Sequence, residues 1–356
     1  MRLETGTRTG DGELAPVVPG GAGAGALDRQ AAPAWFGWVA VALAAWLTAG
    51  GHLDAWAHRH MGFETFFTPW HAVLYSGWLA NTAFFGAVAV RARRGGHPWR
   101  RVLPAGYGLS LVGCLAFGVA GVLDMVWHQA LGVERDFATL ISPTHLLLMV
   151  SVAAILAGPL RSAWSGGSQR AGYGAVLSGA FLLAMLTFWV QFNHPFIDRW
   201  VSAAPGDMLP DRIVQEMGVQ GVVLSAGILS GVVLLMVSRF RLPPGSLTLV
   251  LGINAFLITV IEQLDSMVLV ALLAGVIGDV LLTVLRPSAR RVGQLRLFAF
   301  LLPAELYLLY FATVLARSGT LWPVHVWTGS VALAGFTGLL LSLLVVPSAA
   351  GSRARA

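Results

Sequence analysis

What most constrains this chain is the length of its apolar runs. Stretches of roughly 20 apolar residues recur along it, and a helix of that length crosses a bilayer core of about 30 Å. They lie at approximately 34–57, 67–90, 103–128, 140–160, 172–195, 215–238, 245–264, 267–285, 294–316 and 322–346. Of the 356 residues 56% are hydrophobic and 11% charged, too few charges to coat a water-soluble core of that size. The expected fold is all-α: a polytopic integral membrane protein of about ten transmembrane helices, arranged as five hairpins. Between the seventh and eighth stretches the turn is inferred only from the polar cluster Glu262, Gln263, Asp265 and Ser266.

Residues 1–33 are rich in Gly, Ala, Pro and Thr and have no apolar run of spanning length, so they read as a disordered leader rather than a cleavable signal. Residues 34–160 hold the first two hairpins, 161–346 the other three, and 347–356 form a short basic tail. Arginine assigns the sides. Four connections carry it in bulk, at Arg91, Arg93, Arg94, Arg100 and Arg101, at Arg161 and Arg170, at Arg239 and Arg241, and at Arg286, Arg290, Arg291 and Arg296. None of the four contains an Asp or Glu. The positive-inside rule then puts both termini and these connections in the cytoplasm of a multi-pass plasma (inner) membrane protein, with all five bends facing outward. The sequence pI of about 10.4 reports arginines beside the lipid surface, so the expected partners are the bilayer and other membrane subunits, not nucleic acid. The single cysteine, Cys114, lies within an apolar stretch, which excludes a disulfide framework or a thiolate metal cluster.

Two of the bends repeat one pattern. The first runs Gly51, Leu53, Asp54, His58, Gly62, Glu64, Phe67, Pro69, His71, and the second Gly121, Leu123, Asp124, His128, Gly132, Glu134, Phe137, Pro143, His145. From Gly to Phe they align without a gap, and four extra residues precede the second Pro-x-His. Asp and His at i and i+4 share a helix face with Cβ atoms about 6 Å apart. A second His follows a Pro that suits the first turn of the returning helix. Folding each hairpin brings a carboxylate and two imidazoles together. That donor set suits Cu²⁺, Zn²⁺ or non-haem Fe²⁺ and leaves coordination positions open. The candidate metal ligands are Asp54, His58 and His71, and Asp124, His128 and His145. Glu64 and Glu134 sit further round each bend, placed to orient a histidine, act as a catalytic base, or cap the returning helix. A lone Asp-x3-His at a helix end is ordinarily a hydrogen-bonded polar pair, and it is the second copy that favours metal.

Asp54-x3-His58-x12-His71 resembles the copper-site motif in the C subunit of the particulate methane and ammonia monooxygenases. The resemblance implies that Asp54, His58 and His71 are direct ligands of a copper or zinc ion. It covers some 18 residues, and the second copy departs from it by a longer spacer.

Elsewhere, His325 follows Trp322-Pro323-Val324 in an echo of the Pro-x-His element, His194 lies in the third bend, and Glu305 sits mid-span after Pro303. These three are secondary site candidates, with His325 equally readable as an interfacial histidine. Asp279 and Glu305 are expensive to leave unpaired in lipid, and serve a proton or substrate path or pair with a neighbouring helix. Trp56, Trp70 and Trp127 can wall an apolar substrate pocket or join an interfacial belt. No phosphate loop, Gly-x-Ser-x-Gly nucleophile, His-Glu-x-x-His motif or eight-histidine desaturase pattern is present. Three functions follow: a metal-dependent oxidoreductase of monooxygenase type, with copper the first expectation; a transporter or metal-handling permease; and an assembly or structural subunit.

Overall fold

The computed structural model describes residues 32–61, 67–132, 137–198, 200–202, 211–262 and 266–346. Residues 1–31 of the leader, the tail, Glu64, Glu134, Gln263 and Asp265 lie outside these residues. The described chain is all-helical, without β-strands. Its helices are α1 (Ala34–His60), α2 (Pro69–Arg94), α3 (Gly108–Leu131), α4 (Phe137–Ile141), α5 (Pro143–Leu156), α6 (Gly158–Ser165), α7 (Tyr173–Trp189), α8 (Asp211–Val237), α9 (Ser246–Val260), α10 (Met267–Leu285), α11 (Val292–Arg317) and α12 (Val324–Val345).

Seven helices are long and apolar enough to cross a bilayer: α1, α2, α3, α8, α10, α11 and α12. The pair α5 and α6 makes an eighth span bent by 43°. The bend falls at Gly158-Pro159, where proline removes a backbone donor and crowds the preceding turn. Helices α7 and α9 are apolar but have 17 and 15 residues. At 1.5 Å per residue they reach about 25 and 22 Å, short of a full bilayer core. The expectation of about ten spans is thus met by seven or eight. The sequence count missed that α7 tightens into a 3-10 turn at Gln191–Asn193 and that α9 stops at Val260.

Lateral packing follows the hairpins for α1/α2, α3/α5, α9/α10 and α11/α12. The third pair is looser, because α7 packs mainly on α9 and α8 mainly on α12. Helices α1 and α2 approach closely where Gly50 faces the Leu74 backbone and Gly77 faces that of Leu47; a Cβ at either would come within about 3 Å. Asn81 Nδ2 locks the pair by donating to the Leu43 carbonyl at 3.0 Å. Two buried cores result, one from α1, α2, α3 and α5 around Phe36, Phe85, Tyr107 and Phe117, the other from α7 to α12 around Phe298, Tyr310 and Phe311. Phe188 packs against both. Outward faces are apolar too: Val112, Leu115, Val119 and Val126 on α3 and Leu269, Leu273, Val276 and Val280 on α10 are exposed. Contiguous apolar surface of that extent belongs in lipid.

Contacts gather the bends at one end of the bundle. Arg59, at the end of α1, donates to Gln191 of the third bend and pairs with Glu262 of the fourth. Trp200 of the third bend accepts from Trp322 Nε1 of the fifth at 3.1 Å, and Arg317 of the fifth donates to Ser266 of the fourth. At the other end the Arg-rich connections meet, with Arg241 N donating to the Gln169 carbonyl at 2.7 Å and Tyr173 to that of Pro244.

Candidate metal centre

Each triad is assembled by a helix end and the start of the returning helix. In the first, Asp54 and His58 occupy successive turns near the end of α1. The returning α2 is set by Thr68, whose hydroxyl accepts from His71 N at 3.1 Å, and by Pro69 in the first turn. That cap aims the His71 ring at Asp54: Nε2 stands 3.4 Å from Oδ2, while His58 Nε2 stands 3.7 Å from the same oxygen. The two rings lie 5.4 Å apart at 62°. Asp54 Oδ1 is buried without a hydrogen-bond partner.

The second triad has the same plan on α3 and α5. His128 Nε2 lies 3.4 Å from Asp124 Oδ2 and His145 Nδ1 lies 3.6 Å from Oδ1, with the rings 5.5 Å apart at 61°. It is the more enclosed of the two, Asp124 being only 3% exposed. Supporting hydroxyls also differ. Thr144 donates to Asp124 Oδ1 at 2.7 Å, and Ser142 hydrogen-bonds His145 Nδ1 at 2.6 Å. The corresponding residue beside His71 is Trp70.

In both triads the three donor atoms lie within 4.8 Å of one another, so each group can hold a metal ion; these are the two such groups among the described residues. A charge-assisted N–H···O bond closes to about 2.7–2.9 Å. The observed 3.4–3.7 Å is longer, and it matches the donor–donor edge of roughly 3.4 Å that tetrahedral ligands at about 2.1 Å from one ion require. The triads are also neighbours: Asp54 lies within electrostatic reach of Asp124, and His58 within that of His128.

The remaining candidates lie elsewhere. His194 is buried in the third bend, where Nδ1 accepts from Phe196 N at 3.2 Å; burial pushes its imidazole down to about 3, so it is a neutral, turn-closing residue. Nearby Asp198 is pushed up to about 6 by burial, an effect that Arg59 opposes. His325 is exposed in the first turn of α12, outside either group. Glu305 lies in α11 with both carboxylate oxygens buried and lacking hydrogen-bond partners. Asp279, open at the sequence level between a pathway and a helix contact, takes the second role: it accepts from Leu247 N, Thr248 N and Thr248 Oγ1 at 3.0, 3.1 and 2.7 Å, capping α9. Trp56 and Trp70 meet edge to face at 6.1 Å beside the first triad.

Sequence reasoning passed over four residues. Thr144 and Ser142 flank the second Pro-x-His and were visible as hydroxyls next to a ligand. Tyr75, one turn beyond His71, feels the charge of both Asp124 and Asp54. His52 carried no distinguishing signal. Its Nδ1 donates to the Thr48 carbonyl at 2.8 Å, its Nε2 is buried without a partner, and its ring abuts Phe188. An apolar cavity of about 420 Å³, lined by Ala45, Thr48, Ala49, Phe181 and Phe256 among others, lies on that side of α1. At 3.6 residues per turn it faces away from Asp54 and His58, so it is not a vestibule of the triads.

The chain matches no family model, and no curated protein or solved structure shows significant similarity to it.

Proposed function

We propose that this protein is a membrane metalloprotein that binds one transition-metal ion at Asp54, His58 and His71 and another at Asp124, His128 and His145. Copper is the leading ion, ahead of zinc and iron, and the activity is that of an oxidoreductase of monooxygenase type. The supporting observation is the donor spacing within each triad, too long for hydrogen-bonded pairs and suited to ligands around one small cation. Neutral imidazoles and a carboxylate leave coordination positions free, and a bound copper ion would supply one-electron chemistry there. The chain's own contribution is to orient the donors through the Thr68 cap and the Thr144 and Ser142 hydroxyls, and to flank the first triad with Trp56 and Trp70. That rim suits an apolar substrate arriving from lipid. In this reading the bends face outward from the cytoplasm, α7 and α9 with their adjoining turns are two further spans, and the likeness to the monooxygenase C subunit extends to the use of the metal.

A permease would need a polar path leading inward from the triads. Asp279 is consumed as a helix cap and Glu305 stands by itself, so the enzyme reading leads.

Elemental mass spectrometry on detergent-purified protein tests the proposal, comparing wild type with His58→Ala plus His128→Ala. The expected result is near-stoichiometric copper in wild type, lost in the double variant while helicity and thermal unfolding are retained. Metal absent from both after reloading would reduce the triads to polar networks at helix ends.

A further inference from the structure

Resting on that reading, we propose that Tyr75, whose ring lies beside His71 of the first triad and whose hydroxyl reaches Gly121 below the second, is a positioning residue that couples the two metal centres. Tyr75 lies on α2 one turn beyond His71, the ring centroids 6.2 Å apart at 67°. From there the side chain crosses to α3. Its ring meets Phe117 edge to face at 5.7 Å, and its hydroxyl reaches the backbone at Gly121, where an added Cβ would come within 2.8 Å of that oxygen. Gly121 precedes Asp124 by three residues and so shares its face of α3. The absent side chain at Gly121 is what admits the phenol to the base of the second triad. Both Asp54 and Asp124 act on it electrostatically.

The arrangement occurs at one place. In the alignment of the two bends, the position matching Tyr75 after His145 is Met149, and the glycine matching Gly121 is Gly51, which faces Leu74 Cδ1 at 3.9 Å. A single hydroxyl therefore serves both centres. Two neighbouring carboxylates repel each other, and a hydroxyl dipole turned toward one alters the field at the other. Filling one triad with a divalent cation changes which carboxylate is the better acceptor. The phenol responds, and the affinity of the second triad changes with it. Linkage makes the effect reciprocal.

Full-length protein stripped by chelation is titrated with Cu²⁺ alone by calorimetry, with bound ions counted by elemental analysis. The variants are Tyr75→Phe, which keeps the ring, and Gly121→Ala, whose methyl group displaces the hydroxyl. Both are expected to bind two ions, with the ratio of the two stepwise constants changed roughly 5-fold or more relative to wild type, in the same direction. A purely structural role would weaken both steps alike and leave the ratio in place. Should Tyr75→Phe not fold, Gly121→Ala alone decides. A ratio within twofold of wild type, with two ions bound, overturns the role of Tyr75 and leaves the metal reading standing. A variant binding one ion makes Tyr75 necessary for occupancy itself and also overturns coupling. If wild type binds one ion there is nothing to couple; if it binds none, the metal reading falls as well.

Discussion

Thr144 and Trp70 hold the same place in two otherwise matched bends, each between the Pro and the His of the returning helix. In the second bend the Thr144 hydroxyl fills one lone pair of Asp124 and leaves the other oxygen toward His128; in the first, Asp54 Oδ1 has no such donor. Polar support behind a ligand typically sets metal affinity by 10–100-fold. Thr144→Val is therefore expected to weaken the second centre by roughly that factor and to leave the first unchanged. Copper titration in a His71→Ala background, where only the second centre remains, reads the weakening, and titration in a His145→Ala background reads the first centre. Equal affinities with and without the hydroxyl would mean that Asp124 is held by its helix alone. At this scale the sequence supplied all six candidate ligands. It could not show that Thr144 turns toward Asp124, because a hydroxyl beside a ligand points in or out according to how α5 rotates against α3.

Among the elements, α9 shows most clearly how a polar residue inside an apolar run is used. Its first turn offers free backbone N–H groups, which in lipid have no water to bind. Asp279, reaching across from α10, accepts from two of them and from the Thr248 hydroxyl. Replacing such a cap usually costs about 0.5–2 kcal/mol. Asp279→Ala is expected to lower the thermal unfolding temperature in detergent by a few degrees while copper stoichiometry stays at the wild-type value. Loss of copper in this variant would instead tie α9 to the integrity of the triads. Helix positions and most hairpin partners were legible from the apolar runs and their polar breaks. The shortness of α7 and α9 was not, since an apolar run continues through Phe192 after the helix has tightened into a 3-10 turn.

At the scale of the whole molecule, the bends share one end, bound together by Arg59 with Gln191 and Glu262 and by Trp322 with Trp200. Under the proposed topology, drawn from the arginine distribution, that end faces away from the cytoplasm, and this is open to a direct test. Because Cys114 is the only cysteine and is buried, a Cys114→Ser background suits accessibility mapping. Cysteines at Ser202 and Ser318 are expected to react with an impermeant maleimide in intact cells, and cysteines at Ser165 and Ser238 only after permeabilisation. The opposite pattern would invert the topology and place both triads in the cytoplasm.

The sequence by itself determined that the chain is a helical, multi-pass membrane protein, because backbone groups in lipid must be satisfied within helices and apolar runs of spanning length allow little else. It also determined that Asp54 and His58, and Asp124 and His128, share helix faces, which follows from helical periodicity alone. Only the tertiary structure decided that His71 and His145 return to those faces at ligand spacing, since that depends on how each bend closes. It alone brought the two triads near each other, set Tyr75 against His71 and Gly121, and turned Asp279 into a cap. Those outcomes depend on helix rotation and lateral packing, set by close contacts such as Gly50 on Leu74 and the phenol on Gly121, which no local pattern encodes.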